Sequence, residues 1–435
     1  SAVNVNSDID LLYCDEDKLC DGHFINPFFK PDWNPDLLLG MNYVCHFLVV
    51  RKSLVDKIEL PGSECDGSQD YNMTFQIGEK ARSIKHVPRV LYHWRVHEHS
   101  TALRATQKNY ALETSRHVIQ AHLDRCKISG KVIDSPIAKR RFLVDYDLKQ
   151  EPLVSIIIPN KDSVPILNRC LVSIERHTTY KNYEIVIVEN NSNQKITNEY
   201  YEEIQREDSH IRVVTLLGME SFNFSKIINY GVNHARGKYI LMLNNDTEVI
   251  TPNWIEQLLG PCMRKDVGVT GAKLLFPDGT TQHAGVTFNH EGPCHLSYLR
   301  PRKDGGNFES TLLARDVSAV TGACLLISKQ LFDRVGGMDE QLAVNYNDID
   351  LCLKIRSLEL QIVFCPTAEL FHFESVSRGH DTMGDSALRF RKEKGLFMQR
   401  WPQVYEEGDP CGNPNLAQGN IYEILNPNPK REFVE

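Results

Sequence analysis

Apolar and polar positions alternate in blocks along residues 151–260, and these blocks predict strands and helices in turn. Apolar runs rich in β-branched residues predict four buried strands: Leu153–Pro159, Tyr183–Val188, Ile211–Leu217 and Lys238–Leu243. Between strands, stretches 165–177 and 221–237 carry apolar residues at helical spacing, and the second ends at a glycine. Repeated strand–helix–strand units predict an α/β fold with a mostly parallel sheet and helices on both faces.

A polar cluster directly follows three of these strands. The clusters are PNKD (159–162), ENNS (189–192) and NNDTE (244–248). Ligands of such sheets bind at the carboxyl ends of the strands. We therefore expect the three loops to converge on one crevice.

The chain also contains an internal repeat. Residues 42–54 resemble 319–331, and residues 67–77 resemble 345–355. An aspartate, a proline and a histidine then recur in the same order at near-equal spacing: Asp70, Pro88 and His93 in the first copy, Asp348, Pro366 and His372 in the second. We interpret this pattern as two related units in tandem.

The two units are unequal in length. About 110 residues of strand–helix alternation precede the repeat in the second unit, and almost none precede it in the first. We expect the first unit to begin partway through its fold. The predicted organisation is a partial unit at 1–103, a helical linker at 104–150, a complete unit at 151–400 and a Pro-, Asn- and Gly-rich tail at 401–435.

Composition narrows the class of protein. Of the 435 residues, 41% are hydrophobic, so the chain has enough apolar surface to fold. The 49 basic and 57 acidic side chains give a net charge of −8, which disfavours a nucleic-acid partner. Twelve cysteines without a C-x-x-C pair disfavour that type of zinc site and indicate a reducing compartment. No signal peptide or membrane-spanning run is recognised, so we expect a cytoplasmic protein.

Three polar residues in the second unit could carry chemistry. Asp246 follows a buried strand and could hold a divalent cation, or it could cap the helix that begins near Pro252. Asp348, at the start of a helix with Asp350, could be a general base, or both acids could simply favour the helix dipole. His372 ends an apolar run and could bind metal or phosphate, or be structural. Their shared position at the ends of apolar elements favours one joint site.

These motifs resemble the family-2 glycosyltransferases of the GT-A fold, a Rossmann-like α/β fold. The resemblance covers about 152–400 and rests on VSIIIPNKD, EIVIVENNS, NHARGKYILMLNNDTEV, GAKLLFPDGTTQHAG, TGACLLIS, YNDIDLCLKIR and HFESVSRG. The first unit resembles the later half of a second GT-A domain, through DLLYCDEDK, GSQDYNMTF and VLYHWRVHEHSTA. Tandem domains of this type occur in bacterial enzymes that build surface polysaccharides.

The resemblance assigns the donor site by matching motif positions. Four residues match the positions that hold the base and ribose of a sugar nucleotide: Pro159, Asn160, Glu189 and Asn190. Asn244, Asn245 and Asp246 match the D-x-D metal motif, and asparagine replaces its first aspartate. The implied cofactor is a divalent cation, Mg²⁺ or Mn²⁺, bound by Asp246.

The resemblance also implies the catalytic groups. Asp348 matches the catalytic base of an E-D motif whose glutamate is replaced by Asn347. His372 matches a histidine that reaches the metal or the diphosphate, and Arg378 is placed to contact the diphosphate.

The implied reaction is an inverting, metal-dependent transfer of a hexosyl or deoxyhexosyl group. The sugar passes from a nucleoside-diphosphate donor to a saccharide or lipid-linked saccharide acceptor. A lipid-linked acceptor would be compatible with peripheral association of the protein with the inner face of the membrane.

Two other functions share some of these features. A nucleotidyltransferase would usually carry a Gly-rich basic loop after the first strand, which PNKDSVP is not. The second alternative is a catalytically silent binding or scaffold module. The incomplete first unit and the asparagine in the metal motif favour it, whereas the intact NDID and HFESVSRG segments argue against it in the second unit. In the first unit, DED (15–17) resembles a metal motif, but its surroundings align with 266–274, beyond the true motif. We therefore expect that the first unit in this chain does not transfer sugar.

Overall fold

The computed structural model describes residues 4, 6–60, 62–96, 105–289, 291–373 and 385–416. They form two compact units. The first comprises the described parts of Ser1–Asp147, Lys303–Asp316 and Gly408–Glu435, and the second comprises Leu148–Arg302 and Val317–Glu407. The chain therefore leaves the second unit at 303 and returns to it at 317.

The first unit contains strands of different lengths and four described helices. Its strands are β1 (Leu11–Cys20), β2 (His23–Phe28), β3 (Leu48–Val50), β4 (Ile84–Arg95), β5 (Gly130–Asp134), β6 (Phe142–Tyr146) and, numbered in chain order, β16 (Arg315–Asp316). Its helices are α1 (Pro35–Gly40), α2 (Lys52–Val55), α3 (Gln69–Gly78) and α4 (Ala105–Cys126), with 3₁₀ turns at Ser63–Cys65 and Asn307–Leu312.

The second unit alternates strands and helices. Its strands are β7 (Val154–Asn160), β8 (Tyr183–Glu189), β9 (Ile211–Thr215), β10 (Tyr239–Leu243), β11 (Thr247–Val249), β12 (Val267–Leu275), β13 (Thr281–His283), β14 (Val286–Asn289), β15 (Gly292–His295), β17 (Cys324–Ser328) and β18 (Gln361–His372). Its helices are α5 (Val164–His177), α6 (Lys195–Glu207), α7 (Phe224–His234), α8 (Trp254–Cys262), α9 (Lys329–Arg334), α10 (Asn347–Arg356), α11 (Asp385–Arg400) and α12 (Gln403–Glu406).

The central sheet of the second unit has the order β11-β18-β12-β17-β10-β7-β8-β9. The neighbours β10, β7, β8 and β9 are parallel, and so are β12 and β18. β17 lies antiparallel between β10 and β12. The predicted α/β fold is confirmed, and its four predicted strands match β7, β8, β9 and β10.

Helices cover both faces of this sheet, as predicted. Successive residues of a strand point to opposite faces. Ile156 and Ile158 belong to a buried cluster with residues of α5, α6 and α8, whereas Ile157 belongs to one with residues of α7 and α10. Each such side chain contributes about 1.5–3 kcal/mol on burial, so this alternation stabilises the sheet from both sides.

The sheet of the first unit has a pairing pattern that recurs in the second. β1 pairs antiparallel with β2 and β3, and parallel with β4. β12 likewise pairs antiparallel with β13 and β17, and parallel with β18. This correspondence supports the tandem repeat, although the partial GT-A-like character of the first unit stays a prediction.

The segment predicted as a helical linker, 104–150, contains more structure than a linker. Helix α4 is followed by the antiparallel hairpin of β5 and β6. Val118, Ile119 and Leu123 of α4 are fully buried in the core of the first unit. The segment is therefore part of that unit as far as residue 147, because its apolar face completes the core.

Of the predicted tail, 401–435, the structure describes residues 401–416, and these are divided between the two units. Val404 packs with Phe397 in the second unit. Asn413, 1% exposed, donates through Nδ2 to both oxygens of Asp15 in the first unit, at 3.0 and 3.1 Å. No helix among the described residues is both long and apolar enough to cross a membrane.

Candidate active site

The loops that follow β7, β8 and β10 are joined by hydrogen bonds. Asn245 Nδ2 donates to Asn160 Oδ1 at 2.7 Å, and the backbone N–H of Asn190 donates to the carbonyl of Asn160 at 3.0 Å. Because the three strands are parallel neighbours, their carboxyl ends meet at one edge. The structure thus brings the three polar clusters to the same place.

A buried network supports the part of this crevice that the sequence predicts to bind the nucleotide. Asn160 Nδ2 donates to the hydroxyl of Tyr201 at 2.7 Å, and that hydroxyl donates to Glu189 Oε2 at 2.7 Å. Glu189 also accepts from the backbone N–H of Ser192 at 2.5 Å. Burial raises the pKa of Tyr201 well above its usual range, so the hydroxyl remains a donor. Asn160 and Glu189 are therefore held in fixed orientations.

The same loops are fixed by a second carboxylate. Asp162 Oδ1 accepts from the backbone N–H groups of Asn193 and Gln194 at 3.1 and 3.0 Å. Pro159 lies opposite Val188 where β7 pairs with β8. Pro159 and Asn190 thus lie on the two neighbouring strand ends that the sequence assigned to the nucleotide.

Asp246 lies against His372 in the part of the crevice that the sequence predicts to bind a metal. We call this group, formed by Asn244, Asp246 and His372, the metal side. His372 Nε2 lies 3.2 Å from Asp246 Oδ1 and 3.2 Å from Asn244 Nδ2. His372 Nδ1 lies 2.6 Å from Gln282 Oε1. The amide oxygen can only accept, so Nδ1 carries a proton and donates to it. With the proton on Nδ1, Nε2 can accept from Asn244 Nδ2 and lies beside the Asp246 carboxylate.

A second histidine adjoins this group. His283 is 1% exposed, its Nδ1 lies 2.8 Å from His295 Nδ1, and its Nε2 accepts from the backbone N–H of Thr321 at 3.4 Å. Burial lowers the pKa of His283 well below its usual range, and His295 and His372 add to this effect. His283 is therefore neutral and fills space beside the site without adding charge.

The two acids at the start of α10 differ in their surroundings. Asp350 is fully buried and accepts from Arg400 Nη1 at 2.7 Å and from Trp401 Nε1 at 2.9 Å. Asp348 is half-buried and accepts only backbone N–H groups among its described bonds, from Gly322 at 2.8 Å and Ile349 at 2.9 Å. Asp350 is thus held inside the unit by its partners, whereas Asp348 remains partly exposed.

The loop before β17 joins Asp348 to the metal side. Gly322 donates to Asp348, and the carbonyl of the next residue, Ala323, accepts from the backbone N–H of Asn244 at 3.1 Å. A short loop thus links Asp348, Asn244 and, through Thr321, His283. The structure therefore gathers nine of the ten sequence-predicted residues along one edge of the sheet. Arg378, the tenth, lies outside the described residues.

Tyr201 and Gln282 belong to this site but were not singled out from the sequence. Tyr201 lies in the amphipathic helix α6, where an aromatic residue at helical spacing predicts only a core position. Gln282 stands in TTQHAG, which carried the resemblance without an assigned role. A buried glutamine in a short strand is the signal that could have identified it.

Comparison with known proteins adds an independent finding. Residues 155–336 match the profile of the family described as "Glycosyl transferase family 2". This range runs from β7, whose first residue is Val154, to β17. It includes the sequence-predicted site residues except Asp348, His372 and Arg378.

Two relatives match nearly the whole chain. An uncharacterised protein, y4gI, of Sinorhizobium fredii is 38% identical over 95% of this chain and 46% of its own length. The O-antigen biosynthesis protein RfbC of Myxococcus xanthus is 35% identical over 94% of this chain and 31% of its own length. The chain thus spans less than half the length of either relative.

Among solved structures, the crystal structure of GalNAc-T7 with UDP, GalNAc and Mn²⁺ has a TM-score of 0.49 and 17% identity. The alignment covers 63% of this chain and 52% of that one.

Proposed function

The chain contains a domain of glycosyl transferase family 2, and from this premise we propose that it transfers a sugar from a nucleoside-diphosphate donor to a saccharide acceptor. The name of RfbC, an O-antigen biosynthesis protein, supports a product that is part of a surface polysaccharide. The acceptor in this proposal is a saccharide or lipid-linked saccharide. The reaction would take place in the cytoplasm or at the inner face of the membrane.

The observation that carries the proposal is a set of hydrogen bonds through the loop 321–323. They connect Asp348 to the loops that follow β7, β8 and β10, which we call the donor loops. A transferase must hold an activated donor within reach of a base that deprotonates the acceptor. Here Asn244, at the end of β10, and Asp348, at the start of α10, are bonded to consecutive residues of one loop. A scaffold protein would not need a half-buried carboxylate held at that position.

The residues of the metal side fit a divalent cation. Asp246 offers a carboxylate and His372 an imidazole nitrogen 3.2 Å away, oriented by Gln282. Carboxylate and imidazole are ligands of Mn²⁺ and similar ions, and diphosphate oxygens and water commonly complete such sites. A bound cation would stabilise the negative charge that develops on the leaving diphosphate. We propose Asp246 and His372 as its protein ligands, with Mn²⁺ or Mg²⁺ as the ion.

We propose Asp348 as the general base of an inverting, in-line displacement. Its carboxylate would take the proton of an acceptor hydroxyl as that oxygen bonds to the anomeric carbon. The bond from this carbon to the diphosphate oxygen breaks, and the nucleoside diphosphate leaves with the electron pair. Backbone donors from Gly322 and Ile349 would hold the carboxylate in place during the transfer.

Nucleotide binding and turnover test this function together. We expect one of UDP, dTDP and GDP to bind in calorimetry only when Mn²⁺ is present. We expect Asp348→Asn to lower transfer by about 10²–10⁴-fold while nucleotide affinity stays within about twofold, because the base does not hold the donor. Glu359→Gln, at an exposed acid beyond the same helix, is the matched control.

Two outcomes would overturn the proposal. Near-normal turnover in Asp348→Asn would remove the assigned base. Failure of every nucleotide to bind, with and without Mn²⁺, would favour the silent scaffold module that Asn244 in the metal motif also allows.

A further inference from the structure

A second group of metal-ligating side chains lies in the first unit. Helix α4 ends at Cys126 and carries His122 one turn earlier, on the same face. Glu79 directly follows α3. Donor atoms of Glu79, His122 and Cys126 all lie within 4.8 Å of one another. These residues belong to neither the donor loops nor the metal side of the second unit.

Two of the donor separations can be compared with those of a tetrahedral zinc site. His122 Nδ1 lies 2.7 Å from Glu79 Oε1 and 3.7 Å from Cys126 Sγ. Zinc at its usual bond lengths holds nitrogen and sulfur ligands about 3.6 Å apart, and nitrogen and oxygen ligands about 3.3 Å apart. The nitrogen–sulfur separation already fits. The nitrogen–oxygen separation needs to open by about 0.6 Å.

Neighbouring side chains orient two of the three ligands. Arg125 binds both oxygens of Glu79, with Nε at 3.1 and 3.0 Å and Nη2 at 2.7 Å from Oε1. The ring of Phe75 stacks on the imidazole of His122 at 4.3 Å. Such supporting contacts fix ligand orientation in known metal sites. The side chains of Glu79 and His122 are only 11% and 15% exposed, so they are held rather than free to swing.

We propose that Glu79, His122 and Cys126 bind a borderline divalent cation such as Zn²⁺, with water in the fourth position. On binding, the thiol of Cys126 releases its proton to solvent and the sulfur bonds to the metal. The imidazole proton moves from Nδ1 to Nε2, so a metal bridge replaces the Nδ1–H···Oε1 hydrogen bond. A thiolate and an imidazole favour Zn²⁺ over Mg²⁺ and Mn²⁺, which distinguishes this site from that of the second unit.

Such a metal would bond the end of α3 to the end of α4. Phe75 of α3 and Leu123 of α4 already share the core of the first unit. We therefore expect Zn²⁺ to raise the unfolding temperature of the protein, because it binds only the folded arrangement of these helices.

Titration of the full, metal-free chain with Co²⁺ tests the site. We expect a near-ultraviolet thiolate-to-cobalt charge-transfer band that saturates at one equivalent of Co²⁺. Zn²⁺ should displace the Co²⁺ and remove the band. Cys126→Ser should abolish the band, and His122→Ala should weaken Co²⁺ binding by more than about tenfold. Cys20→Ser, at another accessible cysteine of the same unit, is the matched control and should retain it.

Further variants keep the outcomes separate. Asp246→Asn should leave the band unchanged, because it alters only the proposed site of the second unit. Absence of the band in the unmodified chain, or its persistence in Cys126→Ser, would overturn the proposal. Because Cys126 is exposed at a helix end, its replacement by serine should not prevent folding.

Discussion

Gln282 is the residue that fixes the histidine of the candidate site. Its amide oxygen lies 2.6 Å from His372 Nδ1. Removal of a partner of this kind typically lowers metal affinity by about 10–100-fold. Through this hydrogen bond Gln282 positions the imidazole of His372.

We therefore expect Gln282→Leu to raise the Mn²⁺ concentration needed for half-maximal transfer by about 10–100-fold, with recovery at saturating Mn²⁺. Gln282→Glu keeps an oxygen acceptor and should restore much of the affinity. The measurement is initial rate against Mn²⁺ concentration, with exposed Gln341→Leu as the control. A loss that saturating Mn²⁺ does not restore would instead indicate damage to the fold.

At this scale the sequence identified the residues that end an apolar element. Asp246, Asp348 and His372 each do so, and the structure places each of them in the candidate site. Without the resemblance, the sequence could not show which of Asp348 and Asp350 is the candidate base. The two acids differ in their partners, because only Asp350 is bonded to Arg400 and Trp401, which are about 50 residues further along. Long-range partners of this kind leave no local pattern.

Glycine positions decide how closely the helices of the second unit approach the sheet. A Cβ on Gly231 of α7 would lie 2.5 Å from Ile157 Cγ2 and 2.7 Å from Val188 Cγ2. These atoms belong to buried residues of β7 and β8 that cannot move away. Gly395 of α11 is the opposite case, since a Cβ there would meet no atom within 4 Å.

We expect Gly231→Ala and Gly395→Ala to change stability in opposite directions. Alanine in a helix gains about 1 kcal/mol over glycine, but overpacking costs about 1–3 kcal/mol, so Gly231→Ala should be destabilising. Gly395→Ala should be stabilising, because it gains helix propensity without a steric clash. Urea unfolding followed by circular dichroism would measure both. Equal effects would show that the clash at Gly231 is relieved.

Elements of the second unit were well predicted because their apolar runs are long. The hairpin of β5 and β6 was missed, because a helical linker was predicted over 104–150 and each strand has only five residues. Short strands are defined by their partner rather than by their own sequence.

Over the whole molecule, the first unit is assembled from three separate stretches of chain. Leu312 and Leu313 are buried in its core. Asn34 Nδ2 donates to the carbonyl of Asp316 at 2.9 Å, and Asn413 donates to Asp15. The sequence predicted a boundary close to residue 147, but contiguous domains were assumed, so 303–316 and 408–416 were assigned elsewhere.

We expect a fragment of residues 1–147 to be much less stable than the same unit within the full chain. It would lack two buried leucines, at about 1.5–3 kcal/mol each, and it would leave Asn34 and Asp15 without these partners. Limited proteolysis and circular dichroism would compare the fragment with a longer one, 1–416. Equal protease resistance of the two would contradict this prediction.

The bond between Asp15 and Asn413 spans 398 residues. A ribosome that adds about 5–20 residues per second needs about 20–80 s to synthesise that interval. During this time β1 is already outside the ribosome while its last partner does not yet exist. The first unit therefore completes its fold only near the end of translation of this stretch, and chaperones have a long interval in which to engage it.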